Sequence, residues 1–253
     1  GSEMCIRDSP KAVLPSLAGF ESVLTNHSID FISHPKSTWG VTSGNPVWEE
    51  MKEVALRTEP TYLVNVTLNR DQTITGVFAG EMLTAHKAGT QFVREHSMVS
   101  VDQLFDIVVT TNSGYPLDQN LYQSVKGMSS AVQIVKPGGA IIIAAACEDG
   151  LPEHGQFANL LRSAGSLPDL LGMLAQPDFS APDQWQVQIL AQIQQRADVH
   201  VYSEGLSDEQ IRAALFTPCG DIFKRVTHLA EFYGPQASIA VLPEGPLTVA
   251  YLA

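Results

Sequence analysis

The chain is short of the residues that would mark several whole classes of protein. Its three cysteines, Cys5, Cys147 and Cys219, are scattered with no Cys-x-x-Cys spacing. That argues against a disulfide framework or a cysteine-rich zinc site and fits a reducing, cytoplasmic setting. Basic residues are scarce, 15 Lys and Arg against 27 Asp and Glu, for a formal charge of −12. Nucleic acid and anionic membrane both demand clustered cations, so neither is expected as a partner, and an anionic substrate must be met by a few local cations. No apolar run is long enough to span a bilayer; the longest, Ala140 to Cys147, has the length of a strand. Glycine-rich nucleotide loops are missing, as are the HExxH, GxSxG and DxDxDG spacings. His86 and His96 stand ten apart on one expected helix, off the i, i+4 face of paired metal ligands, and read as solvated.

What is present is enough chain, 253 residues, to bury a core in one large domain or two smaller ones. Residues 1–9, Gly-Ser-Glu-Met-Cys-Ile-Arg-Asp-Ser, have no apolar signal-peptide core and read as a translated sequencing adapter joined to a gene fragment. On that expectation Cys5 is not native and the natural N-terminal part is absent. From there the pattern predicts a short helix capped by Ser16 with Phe20, Val23 and Leu24 inward, and a loose segment from Ser33 to Pro46. Asn45-Pro46 then opens a helix to Arg57. A hairpin follows, Tyr62–Leu68 and Ile74–Ala79 around a turn at 69–72, and then a helix over 81–99 with Met82, Ala85, Ala88 and Phe92 inward.

The second half alternates strand and helix, which predicts a mainly parallel sheet covered on both faces. Strands are expected at 105–110, 140–146, 199–202 and 238–242, and helices at 120–135, 156–164, 167–174, 183–196, 208–215 and 220–233. Lys136-Pro-Gly-Gly reads as a helix stop and turn, although it also resembles a late strand signature of class I methyltransferases.

Between the first of these strands and its helix lies Pro116-Leu-Asp-Gln-Asn-Leu-Tyr-Gln-Ser-Val-Lys-Gly127. A strand that re-enters as a helix is where open α/β sheets place ligands. Gln123 and Lys126, one turn apart, suit a carboxylate: the amide donates a hydrogen bond and the ammonium adds charge. A surface Gln and Lys beside a core-facing Tyr122 is the plainer reading. Tyr122 and Lys126 also fit the YxxxK pair of short-chain dehydrogenases, which the missing nucleotide loop counts against.

Taken together, these motifs resemble the nickel-pincer-dependent lactate racemase family. The resemblance rests on Lys11, Leu14-Pro15, Ala18-Gly-Phe-Glu, Asn26-His27, Gly44-Asn-Pro46, Phe78-Ala-Gly80, the string Tyr115 to Gly127, Lys136-Pro-Gly-Gly, Gln184-Trp-Gln186 and Leu242-Pro-Glu-Gly-Pro246. It runs from Lys11 to the C-terminus in family order. It implies racemisation or epimerisation of a 2-hydroxy acid, by hydride transfer to and from a pyridinium-3,5-bisthiocarboxylic acid mononucleotide that carries nickel. Lys11 matches the residue tethered to that nucleotide and His27 the residue that ligates nickel. Gln123 and Lys126 match the substrate-binding pair, and Tyr122 and Trp185 match pocket residues. The family's two general-base histidines precede the tethered Lys, and no His here matches them, so no catalytic base is assigned. Cofactor-making enzymes are implied as partners. Pro10 departs from the basic or small residue usual before the Lys.

The resemblance predicts an α/β chain in which residues 10–100 are the remainder of a cofactor-binding domain and 101–234 form a Rossmann-like substrate domain. Residues 235–253 are expected to return to the first domain, with the site between the two. Residues 10–253 expressed alone are expected to show no interconversion of D- and L-lactate, and clear turnover would contradict these assignments. The alternative of another class is a non-catalytic, small-molecule-binding α/β domain.

Overall fold

The change from isolated helices and a hairpin to strand–helix alternation marks a structural division, because the chain separates into two units between Met98 and Val99. The computed structural model describes residues 10–60, 62–69, 71, 73–152 and 155–253, so the adapter-like segment with Cys5 and part of the hairpin turn lie outside it. No helix of the described residues is long and apolar enough to cross a membrane.

The first unit holds helices α1 (Pro10–Val13), α2 (Phe20–Asn26), α3 (Ile29–Ser33) and α4 (Pro46–Arg57), the antiparallel hairpin β1 (Leu63–Leu68) and β2 (Ile74–Gly80), and α5 (Met82–Ser97). α4 starts as its sequence demands: the Asn45 side chain accepts from the N–H of Val47 at 3.1 Å and of Trp48 at 3.4 Å, with Pro46 at the first helical position. Ala55 of α4, Leu63 of β1, and Met82 and Ala85 of α5 form a small core, with Val13 of α1 packed against it. Three expectations need correction. The helix expected from Ser16 begins at Phe20, whose ring is half exposed. Gly89 is buried in place of Ala88, because that face of α5 lies against the Phe78 ring. His86 is half-buried, tilted against Trp48 with ring centroids 5.6 Å apart, and desolvation lowers its pKa, whereas His96 is exposed.

The second unit is built on a five-stranded parallel sheet, as alternation predicts. Its strands are β4 (Phe105–Thr111), β5 (Val135–Ala144), β6 (Ala197–Tyr202), β7 (Thr217–Pro218) and β8 (Ile239–Leu242), in the order β7-β6-β5-β4-β8. β3 (Met98–Val101) and β9 (Val249–Leu252) form a separate pair. The connecting helices are α6 (Leu121–Ala131), α7 (Phe157–Ala164), α8 (Leu167–Leu174), α9 (Gln184–Arg196), α10 (Asp208–Ala213) and α11 (Ile222–Tyr233). α11 covers the sheet face that carries Ile107, Ala140 and Ile142. The alternating residues Val108, Ile141 and Ile143 are buried on the other face, where α6 and α9 pack.

The strand expected at 238–242 joins the sheet as β8. It lies in register with β4 from Ile107↔Ile239 to Thr110↔Leu242, because Ile239-Ala-Val-Leu is a parallel strand whose N–H and C=O groups need that ladder. Lys136-Pro-Gly-Gly is no helix stop. It forms the irregular first part of β5, where the register against β4 jumps from Phe105↔Val135 to Ile107↔Ala140.

Lys136 has its own task at that N-terminal edge of the sheet. Its ammonium donates to both oxygens of Asp106, at 2.9 and 2.8 Å, and Ser238 donates to the same carboxylate through its N–H (2.8 Å) and hydroxyl (2.7 Å). The starts of β4, β5 and β8 are joined this way. Lys136 first, then Ser238, holds the Asp106 carboxyl down from 3.8 to about 2. A carboxyl lowered on folding adds stability that is fully present above its unfolded pKa and lost as the pH falls through its folded value. Lys136→Met is therefore expected to cost about 1 kcal/mol near neutrality, after discounting for the solvent around a half-exposed lysine. Denaturant titrations should show the gap to the parent closing between pH 4 and pH 2; a gap constant over that range would contradict this account.

Candidate active site

The C-terminal edge of the sheet places the residues singled out in the second half. The chain runs out from β4 through β5 and β6 to β7 and then comes back to β8, so the strand order reverses between β4 and β8. Ligands of open α/β sheets collect at that crevice. The loop from Asn112 to Asn120 and the segment Pro243–Leu247 meet there: Thr111 Oγ1 donates to the Pro243 carbonyl at 2.8 Å, and Ser113 Oγ donates to that of Glu244.

α6 leaves this edge with its polar first turn held in several ways. Asn120 caps it, its side-chain oxygen accepting from the Gln123 N–H at 3.1 Å. The buried face, Leu121, Ser124, Val125, Gly127, Met128 and Ala131, is rich in small side chains and lets the helix lie close to β4 and β5. Asn112 ties both ends of the loop: its Oδ1 accepts from the Gly127 N–H at 2.9 Å, and its Nδ2 donates to the Leu117 carbonyl. Asp118 fastens the loop to the segment after β5, accepting from the Ala146 N–H at 2.9 Å through its carboxylate and from the Cys147 N–H at 2.9 Å through its carbonyl.

Three half-buried side chains, Tyr122, Gln123 and Lys126, stand on the opposite face of that helix. Lys126 Nζ donates to Gln123 Oε1 at 2.7 Å, which engages the amide oxygen and leaves its NH2 as the donor toward a ligand. Trp185, on the first turn of α9, donates its indole N–H to the Tyr122 hydroxyl at 3.1 Å, and the neighbouring Gln186 donates to the Tyr122 carbonyl at 2.6 Å. The Tyr122 ring meets Phe157 edge-on, with centroids 5.3 Å apart. The structure thus brings all four together: an ammonium and an amide in contact, beside two aromatic groups joined by a hydrogen bond. That set can hold a small anion with an apolar body.

The other two singled-out residues lie in the first unit and are near one another. Lys11 is in α1, and His27 directly follows α2. His27 Nδ1 lies 3.2 Å from the Val23 carbonyl, which can only accept, so the neutral ring carries its lone pair on Nε2. Burial pushes the ring pKa down to about 4; the Val23 bond opposes that fall and the Lys11 ammonium adds to it. A neutral imidazole with one fixed tautomer is what a metal ligand requires. Among the described residues no three His, Cys, Asp or Glu side chains gather into a group that could hold a metal ion.

Residues 101–250 match the family model of the lactate racemase C-terminal domain. The chain belongs to the lactate racemase family. It is 34% identical over 237 residues to the lactate racemase of Thermoanaerobacterium thermosaccharolyticum and 35% identical over 236 residues to that of Lactiplantibacillus plantarum, in each case over 93% of this chain and 55% of the relative. The chain therefore spans about half the length of the curated relatives it matches. The structure of the lactate racemase apoprotein from T. thermosaccharolyticum superposes with a TM-score of 0.90 at 33% identity, covering 96% of this chain and 58% of that one. A crystal structure of a Thermotoga maritima protein, 13% identical with a TM-score of 0.60 over 84% of this chain and 55% of its own, shares the fold.

Sequence reasoning missed the residues that hold the site in place. Asn112, Asp118 and Gln186 are all buried polar groups whose hydrogen bonds fix Tyr122 or α6. Gln186 was visible only as part of Gln184-Trp-Gln186, and nothing in the local sequence sets Asn112 apart from an ordinary polar residue after a strand.

Proposed function

We propose that this protein acts in the interconversion of the enantiomers of a 2-hydroxy acid of lactate type. The observation that carries the reading is the contact of Lys126 with Gln123 on the first two turns of α6, in a chain about a third identical to two lactate racemases. In this reading the Lys126 ammonium and the Gln123 amide bind the substrate carboxylate. Tyr122 and Trp185 wall the pocket and keep water from C2. Their mutual hydrogen bond fixes both rings, so that a small acid has one place to lie.

A nickel-pincer nucleotide fits the residues of the first unit. Lys11 would be joined to one arm of the nucleotide, a fitting task for an amine. His27 would give nickel its one protein ligand, a borderline nitrogen donor suited to Ni(II), with the remaining donors coming from the arms. When bound, that group supplies acceptance and return of the C2 hydrogen as hydride. The chain's own contribution is to hold the carboxylate, orient C2, keep the His27 ring neutral and exclude water. The base for the hydroxyl proton is assigned to none of its residues.

The test joins residues 10–253 to the part of the T. thermosaccharolyticum enzyme that they do not match and makes the product in cells that also make the cofactor. Intact-mass and metal analysis are expected to find a covalent adduct and about one nickel per chain. Lys11→Ala should lose both; His27→Ala should keep the adduct and lose most of the nickel. If the parent carries neither adduct nor nickel while it still binds lactate, the non-catalytic binding domain is the better description.

A further inference from the structure

His27 is followed back to its support through the residue before it. Asn26 is fully buried, and its side-chain NH2 uses both hydrogens on α4, donating to the Val47 carbonyl at 3.0 Å and to Glu50 Oε2 at 2.9 Å. Its Oδ1 is buried with no hydrogen-bond partner among the described residues. A buried acceptor without a partner is costly, and exchanging the two ends of the amide would only set an oxygen against the Val47 carbonyl. The orientation is therefore fixed by the two donated bonds, and the fold bears the orphaned oxygen to keep them.

Those bonds act on the last turn of α2, a helix whose N-cap makes no side-chain hydrogen bond and which depends on neighbours for its position. α4 is the natural seat. Its first turn is locked by Asn45, and α1, which carries Lys11, packs along it. The same helix thus receives the Lys11 helix by packing and the His27 turn by the Asn26 amide. Nothing else that α2 offers is both buried and polar, since Asn26 is its one buried residue.

We propose that Asn26 is a positioning residue for His27: by fastening the end of α2 to Val47 and Glu50, it holds the turn on which the Val23 carbonyl selects the tautomer, and with it the place of the imidazole relative to Lys11. The purpose assigned to that imidazole, holding nickel, rests on the reading given above, but the positioning does not.

The test is made on the metal-free chain. Long-range 15N–1H spectra of the histidine rings at pH 8, with His27 assigned by its absence in His27→Ala, are expected to show a single Nδ1–H tautomer in the parent. Asn26→Ala should lose that single signal and give exchanging tautomers. Glu50→Ala should do so in part, whereas Glu50→Gln, which keeps an acceptor oxygen, should restore it. Leu63→Ala weakens the same unit through its core and is expected to leave the ring signal unchanged. Should Asn26→Ala fail to fold, the two Glu50 variants decide the matter. An unchanged His27 signal in Asn26→Ala, or in Glu50→Ala where that variant decides, overturns the proposal, and so does equal scrambling by Leu63→Ala. The measurement needs no nickel, so a protein that never binds the metal can still pass it.

Discussion

Replacing Gly127 by alanine is expected to unfold the second unit far more readily than so small a change implies. A Cβ at position 127 would overlap the carbonyl oxygen of Thr111, which is backbone at the end of β4 and cannot swing aside as a side chain would. Relief requires α6 to lift from the sheet, where Leu121, Val125, Met128 and Ala131 are wholly buried. It also strains the bond from the Gly127 N–H to Asn112. Overpacking of this kind costs roughly 1–3 kcal/mol, and a displaced helix adds to it, so a loss of about 3 kcal/mol is expected. Urea denaturation of the second unit would measure it. Gly172→Ala makes a useful control, because an added Cβ there meets nothing within 4 Å and stands in a helix interior. It should be neutral or stabilising by about 0.5–1 kcal/mol. If Gly127→Ala matched that control, the close approach of α6 to β4 would be wrong.

Lys126→Met is expected to weaken binding of D-lactate and L-lactate by the same factor, about 100-fold, in the joined protein described above. A charge-assisted pair loses its ammonium while Gln123 loses the donor that fixes its amide. On the proposed function the carboxylate is held alike before and during reaction, so most of the loss should appear in KM and little in kcat. Calorimetric titration with each enantiomer checks the binding, and initial rates in both directions check the partition. A kcat loss with KM unchanged would assign Lys126 to the reacting atoms in place of the carboxylate.

The architecture of the second unit was legible because its signals are local and repeated. Apolar strands such as Ala140-Ile-Ile-Ile alternate with amphipathic helices, and the observed sheet is parallel as that alternation requires. The cap and proline at Asn45-Pro46 likewise gave α4 its start. What misled was sequence with two local meanings. Lys136-Pro-Gly-Gly has the composition of a turn, and long-range bonds draw it into the end of the sheet, among them that of Lys136 to Asp106, 30 residues earlier, and the pairing of Gly139 with Ala197. The strand β8 was legible as a strand, but its pairing was not: its partner β4 lies more than 130 residues upstream, and no local pattern records that pairing. Within the site, Gln123 and Lys126 could be paired from their spacing on one helix. The bond from Trp185 to Tyr122 spans 63 residues and had no such signal.

The way Lys126 and Gln123 are joined has a consequence for stereochemistry. A carboxylate is planar and is its own mirror image, so a grip confined to that group reads no handedness. Both donors come from one rigid helix and engage each other, which gives the pair a fixed geometry before any acid arrives. Discrimination at the three other substituents of C2 would give the enantiomers unequal affinities; because they are equal in free energy, the tighter-bound one would then be turned over more slowly in proportion. On the proposed function, an anchor of this kind leaves C2 to be presented by either of its faces and makes the product of one direction as good a ligand as the product of the other.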